Sequence, residues 1–563
     1  MALSVDTYYF DASVSGPTDS SAAWTADANA FDGSTATVAV NSGGAGTFSS
    51  KTLNGTGTTA PLSGSDYILA VRFRFYGTVS SCNAGVEYSS AQLGASATNS
   101  SPGAGAYSSY VVLPSPSGGW SWNILATQLG VRFWALGAAP GVARAEIEVT
   151  HAPSTNLYNY PIMSGENANF SATNAARFFP LAQSNDTVIG TTNATYDVLM
   201  PFTTQLSNFK TNIGIAPGAG ITRTVAVDQN DAASALSLAI ADPLLTGSNT
   251  TDYVSYYQGD SYKLRLTASG TPVASTPNSW RVVQTGESQV FGSFLTASAS
   301  ADRFTGVHDG GGAQTTAVAC SQVAPATTTL KNLVVEANGT LTAGTSYLIE
   351  IYTGTLGSET ASGVKVTVDS TNAFITPAID STHSIAVTQG QGMYVRIIPT
   401  GTPTARTLNI GIENATGDGT YWLLQSSNTN LSTTATVHNN WYGTGVWQAA
   451  EADVQALAYA TTLKGFYGVV SSDPAATKSR TLSFRQNGVN TSAVLIFSNS
   501  GATKSWTGSI PIATDDLINT REVPVNTPAL STLKYGLVFQ ANPLAVVGKK
   551  FVASQAMNRA ATY

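Results

Sequence analysis

The first residues to weigh for chemistry are the four histidines, His151, His308, His383 and His438. None has a partner at metal-ligand spacing, so the sequence carries no zinc motif. His308-Asp309 stands before three glycines and reads as a solvated loop, because no second histidine or carboxylate cluster accompanies it. Gly55-Thr56-Gly57-Thr58-Thr59-Ala60 satisfies the dinucleotide pattern. Pro61 follows it, however, and no helix opens there to offer its N-terminus to a phosphate. There is no Gly-x-Ser-x-Gly nucleophile elbow. Paired glycosidase carboxylates are defined by space and not by sequence, yet acids are sparse and none stands out. The expectation is a protein that is not an enzyme, with no catalytic, cofactor-binding or metal-binding residue. The aromatic residues offer more. Trp120 and Trp122 follow Ser117-Gly118-Gly119, and Trp441, Tyr442 and Trp447 sit among glycines. Exposed, these would stack on the apolar face of a sugar; buried, they would fill the edges and joints of β-sandwiches.

The elements that position such residues are set by a stretch that recurs. Gln258-Gly259-Asp260 is followed by Arg265 and Thr271-Pro272, and Gln389-Gly390-Gln391 by Arg396 and Thr402-Pro403. A weaker third copy keeps Asp516, Arg521 and Thr527-Pro528 at the same spacing. Tyr262, Leu264 and Leu266 share one strand face, as do Met393, Val395 and Ile397, while Lys263, Arg265 and Arg396 point away. Gly-Asp before the strand and Gly-Thr-Pro after it are turn chemistry. A recurring arginine in so uncharged a chain is expected to bond a carboxylate or a loop carbonyl.

Earlier anchors keep the same period. Leu206, Leu330 and Leu463 are each followed nineteen residues later by Val225, Ile349 and Leu482. The turns Asn230-Asp231, Gly354-Thr355 and Asn487-Gly488 come next, the last a strong hairpin signal. The expected organisation is all-β: four tandem jelly-roll-like β-sandwiches over 1–152, 153–287, 288–418 and 419–563, the last three being divergent repeats of about 130 residues. In the final unit the strand after Asp516 would turn Ile518, Thr520 and Glu522 to the core, a poor face. The last sandwich is expected to close near Tyr535–Phe539. Beyond it a basic tail with Lys549, Lys550, Phe551, Met557 and Tyr563 is expected to act as an assembly arm.

Of 563 residues only 10% are charged, with net charge −7. That balance speaks against nucleic acid, which wants a concentrated basic face. Cys82 and Cys320 lie in different expected domains, so no disulfide framework forms. The start lacks the basic and apolar regions of a signal peptide, and no apolar run is long enough for a membrane helix. The expectation is synthesis in the cytosol and no membrane insertion.

The run Trp24 to Thr37, with Asp32-Gly33-Ser34, resembles the early loop of galactose-binding-like jelly rolls and of sandwich modules in tailed-phage fibre proteins. In those families that turn sometimes holds a structural calcium. The aliphatic strand, Asn-Gly hairpin and Gly-Asp strand ending in Thr-Pro resemble tandem jelly-roll modules of tailed-phage virion structural proteins. The resemblance implies a fold and a setting: a fibre, spike or decoration protein of the virion, homo-oligomeric, bound to other virion proteins and touching host-surface glycans in host attachment. The other reading of the same residues is a bacterial cell-surface adhesin or carbohydrate-binding protein.

Overall fold

The structure, a computed structural model, describes residues 3–13, 24–41, 45–49, 52–78, 82–99, 105–136, 141–166, 170, 175–179, 197–276, 278–308, 314–371, 376–426, 429–443, 447–499 and 501–544. It is all-β, with several antiparallel sheets stacked as sandwiches.

The N-terminal sandwich is built on the long strands Asp66–Thr78 and Gly141–Pro153, which pair along nearly their whole length. Strand Ser4–Ser13 pairs with Gly141–Pro153 through its first half and with Leu53–Thr58 through its second. It therefore bridges the two sheets at a corner. Alternation sends Val71, Phe73 and Phe75 inward with Phe10, Phe31 and Phe133, while Arg72 and Arg74 on the other face pair with Glu148 and Glu146.

Beyond residue 157, one strand order occurs three times. In the first sandwich, Tyr158–Glu166, Asn278–Gly286, Thr204–Ile213 and Thr246–Tyr256 form one sheet. Arg177–Phe179, Ser261–Ala268, Thr222–Gln229 and Ala232–Ala241 form the other. Taking these eight strands in chain order, the sheets run 1-8-3-6 and 2-7-4-5, the pairing of an eight-stranded jelly roll. The second sandwich repeats it with Gln289–Thr296, Thr407–Ala415, Thr328–Ala337 and Ala378–Val387 against Arg303–Thr305, Gln391–Thr400, Ser346–Thr355 and Thr360–Asp369. The third uses Thr420–Gln425, Leu533–Pro543, Thr461–Val470 and Thr503–Ile512 against Val437–Asn439, Leu517–Val525, Ser479–Gln486 and Val489–Phe497. The hairpin turns explain the fourth-to-fifth connections. Asn230 and Asp231, like Asn487 and Gly488, all take positive φ, the backbone that a two-residue hairpin requires.

One buried position ties each sandwich together. Arg223, Tyr347 and Arg480 lie two residues before Val225, Ile349 and Leu482 and are among the largest fully buried side chains. Arg223 donates to the carbonyls of Phe170 and Val273, the Tyr347 hydroxyl to Thr404 O at 3.1 Å, and Arg480 to Ala529 O at 2.8 Å. Val273, Thr404 and Ala529 each follow the proline of a Thr-Pro pair. The Thr-Pro element is thus a loop anchored through the core by a long side chain, which satisfies carbonyls that burial would otherwise leave unpaired.

The third sandwich corrects two expectations. Ile518, Thr520 and Glu522 do face the core, and the face is sound. Arg480 pairs with Glu522 at 2.9 Å and the Thr520 hydroxyl meets that of Tyr535 at 2.6 Å, so each polar side chain on that face has a buried partner. The last strand also runs past Phe539 to Pro543, and Asn542 and Pro543 pair with Asn159 and Tyr158 of the first sandwich. Lys549, Lys550, Phe551, Met557 and Tyr563 lie outside the described residues.

The cores are continuous across sandwiches. Leu206, Val225 and Trp280 of the first share one apolar cluster with Leu463, Phe484 and Phe539 of the third. Trp422, Leu424 and Val538 of the third join the core of the second. On Thr420–Gln425, alternation sends Tyr421 and Leu423 into their own sandwich and Trp422 and Leu424 into the neighbour. Both faces of this strand are buried, which is why Tyr421 to Leu424 carry no charge.

Candidate functional site

The recurring Gln-Gly-Asp stretch is the turn through which each sandwich grips the next. Asp260 closes it by accepting from the Tyr257 backbone N–H at 2.9 Å and from the side chains of Gln229 and Asn230. Asp516 makes the same set with Ala513 N–H, Gln486 and Asn487, and Gln391 Oε1 accepts from Thr388 N–H at 2.8 Å. The residue before each, Gly259, Gly390 or Asp515, has φ of 92°, 87° or 76°, a backbone that favours glycine and tolerates Asp or Asn. A short segment then crosses the turn. The backbone N–H groups of Met200, Ala324 and Ala458 donate to the carbonyls of Asp260, Gln391 and Asp516. Their carbonyls accept from the N–H groups of Gly259, Gly390 and Asp515.

This doubled tip docks on the 1-8-3-6 sheet of the following sandwich, and the three contacts close head to tail. Gly259 of the first sandwich faces Pro377 of the second, and Gly390 of the second faces the Tyr467 hydroxyl of the third. Asp515 of the third pairs with Lys210 at 2.8 Å and with Arg281 of the first. The approach is closest at one point of the eighth strand. A Cβ at Gly411 would overlap the Leu199 carbonyl, and one at Gly536 would come to 2.8 Å from Pro325. Arg281 occupies that point in the first sandwich and donates to Ala458 O at 2.8 Å.

The three seams differ in charge. Between third and first, the hydrogen bonds from Lys210 and Arg281 hold the Asp515 carboxyl below the usual range against the upward push of burial. Between second and third, Lys534 donates to the carbonyls of Val318 and Ser321, both at 2.6 Å, and burial lowers its pKa to about 8. Between first and second lies a cleft of about 380 Å³ lined by Asp197, Asp231, Asp260, Glu336, Asn338 and Asn409, among others. Lys263 is wholly buried at its back and pairs with Asp197 at 2.8 Å and with Asp231. Strand alternation points it away from its own core, and there it meets Asp197 and Asp231, which line the cleft, and not solvent. Burial raises the Asp197 carboxyl to about 6, with Lys263 opposing. Burial, then Asp197 and Asp231, raise that of Glu336 to about 7.

The structure disperses the remaining sequence candidates. Arg265 pairs with Asp228 at 3.1 Å, and Arg396 with Asp302 and the Tyr352 hydroxyl. Arg521 lies opposite His438 and Ser483 in its sheet, so the three arginines share a place and not a partner. Trp120, Trp122, Trp441 and Trp447 are all buried. Trp122 donates to Asp66 O at 2.9 Å, and Trp441 stacks on Phe484. This corrects the expectation of exposed stacking platforms: the rings fill sandwich interiors, where a sugar has no access. Tyr442 lies in strand Tyr442–Gly443.

His151 sits between Asp6 and Asp66 at 3.0 and 2.8 Å, and His383 on Asp380 at 3.0 Å. His308 is buried, with its Nδ1 accepting from Gly292 N–H, and burial lowers its pKa to about 3. His438 exchanges backbone hydrogen bonds with Gln448. Asp309 lies outside the described residues. The Asp32 carboxylate, the expected calcium position, accepts from Ser34 N–H and the Thr37 hydroxyl. Among the described residues no group of three or more His, Cys, Asp or Glu is arranged to hold a metal ion, and none forms a helix long and apolar enough to cross a membrane. Cys82 and Cys320 are both buried.

No protein-family model matches the chain, and no curated protein sequence matches it.

Sequence reasoning missed Glu336, Asp197 and the Arg223, Tyr347 and Arg480 position. The last had a signal, since all three stand at one distance before an anchor of the repeat. Glu336 had none, because its partners come from another sandwich.

Proposed function

We propose that the chain is a non-enzymatic structural protein of a tailed-phage particle, in a fibre, spike or decoration, and that it works beside further copies of itself and other virion proteins. The observation that carries this reading is the seam construction. Three jelly rolls share apolar cores and close on one another through one recurring turn, which gives a stiff block with little internal freedom. Large continuous burial of this kind resists domain motion, and resistance to motion is what a particle component needs. Partners have edges to pair with: Thr246–Tyr256, Ala378–Val387 and Thr503–Ile512 each end a sheet, and unpaired edges are surfaces that natural assemblies cover. The four tryptophans that an adhesin would have used as stacking platforms are buried, which weighs toward the structural reading. The test is location. Mass spectrometry of purified particles, with gold-labelled antibody on intact ones, should find the chain at a fixed place on the virion. Its recovery from the envelope of uninfected bacteria, and its absence from particles, would refute the proposal.

A further inference from the structure

The three seams use one backbone design, so their differences in side-chain chemistry stand out against a common background. Where the third sandwich meets the first, one acid faces two bases. Where the second meets the third, one ammonium faces two carbonyls. Where the first meets the second, Asp197, Asp231 and Glu336 stand around one ammonium among the described residues, Lys263. Among the described residues Glu336 forms no ion pair.

The groups around Glu336 cannot relieve it. From the first sandwich it is faced by Asp197, Asp231 and Lys263, with Asp260 on the same cleft. The Asp260 oxygens are spent on their own turn, and Asp228 behind them is paired with Arg265. From its own sandwich, the side chains of Asn338 and Asn409 that line the cleft are neutral, and Arg406 nearby donates to Thr340 O. Asn409 presents a further oxygen, since its buried Oδ1 has no hydrogen-bond donor among the described residues. Asp231 is half exposed at the mouth, so water and protons reach the cleft.

We propose that the seam between the first and second sandwiches is a proton-linked latch, shut while its carboxylates retain a proton and loosened when all of them are ionised. The sign follows from burial. Burial raises the Asp197 and Glu336 carboxyls in the closed seam, and opening it to solvent would let both protons go more easily. As pH rises through about 6 and then about 7, each proton lost makes opening easier. A seam that opens in one place turns a closed block into a hinged one, with the other two seams as the pivot.

Hydrogen exchange on the full chain tests this at about pH 5.5 and about pH 8, with exchange times scaled for the intrinsic rate. Peptides over 198–200, 258–262 and 408–411 should lose protection at the higher pH by about tenfold, the effect of one unit of pKa shift. Peptides over 209–212, 457–460 and 515–518, at the seam between third and first, should not. Glu336→Gln should keep the latch protected at both values. Asn409→Asp adds an acid to the cleft and should loosen it further at the higher pH. Equal protection in the native chain at both values, or variants that both behave like it, would overturn the latch.

Discussion

The seam between third and first sandwiches and the seam between first and second are the same contact made twice, with opposite electrostatics. In each, a turn with positive φ and the segment that crosses it press on the 1-8-3-6 sheet of the next sandwich. In one, Asp515 at the tip finds Lys210 and Arg281 waiting. In the other, Gly259 at the tip brings no charge, and the acids lie beside it with Lys263 as the one base paired with them among the described residues. The backbone fit is thus sufficient to bring two sandwiches together, and the charges decide under what conditions they stay. Shape sets where the contact is; titration sets when it holds.

The sharpest way to break the acid seam leaves charge alone. Gly411 has ordinary φ, so Gly411→Ala costs nothing in backbone conformation, yet its Cβ would meet the main-chain carbonyl of Leu199. A main-chain atom held by strand pairing cannot swing aside, and overpacking of this kind costs about 3 kcal/mol. Urea unfolding of the full chain should show an early transition that the native protein lacks. A native-like single curve would mean that the two sandwiches are not held as described.

The next effect in size belongs to Lys263. Removing its ammonium with Lys263→Met leaves Asp197, itself buried, without its cation, at a cost of about 2 kcal/mol. The loss should be greatest at neutral pH and shrink toward pH 5, where Asp197 takes up a proton instead. Urea midpoints at the two pH values check this; a loss equal at both would assign Lys263 a packing role only.

Much of this architecture is legible in the amino-acid sequence. Alternation in Tyr262, Leu264 and Leu266 and in Val364, Val366 and Val368 marks the strands, because a half-buried strand writes its inner face every second residue. The Gln-Gly-Asp turn shows as turn chemistry, since positive φ needs glycine or a short polar side chain wherever it occurs. Its role in docking does not show: what a tip touches depends on another sandwich, and no local period records it. The same limit explains the tryptophans. Trp441 among glycines looks like an exposed loop in one dimension, whereas packing on Phe484 and Phe539 puts it inside. Ile518, Thr520 and Glu522 look unfit for a core only because Arg480, forty-two residues before Glu522, meets it through a sheet pairing that no local pattern records.

The smallest effect sharpens the comparison by its sign. Asp515 has its carboxyl held below the ordinary 3.8, so it contributes stability above that value and loses it as pH falls through its lowered folded pKa. Asp515→Asn keeps the positive φ, which asparagine accepts readily, and keeps one acceptor for Arg281. It removes only the charge, and because the carboxylate is nearly half exposed, solvent screens the pair to about 1 kcal/mol at neutral pH. The variant should therefore melt below the native chain at pH 7, and the gap should close as pH falls through the lowered Asp515 value and the native carboxylate takes up its proton. Glu336→Gln should diverge from the native chain in the other direction, growing more stable by comparison as pH rises. Differential scanning calorimetry of both variants across that range reads the two trends at once. If they run in the same direction, the seams are not electrostatic opposites, and their shared backbone design would have to account for both.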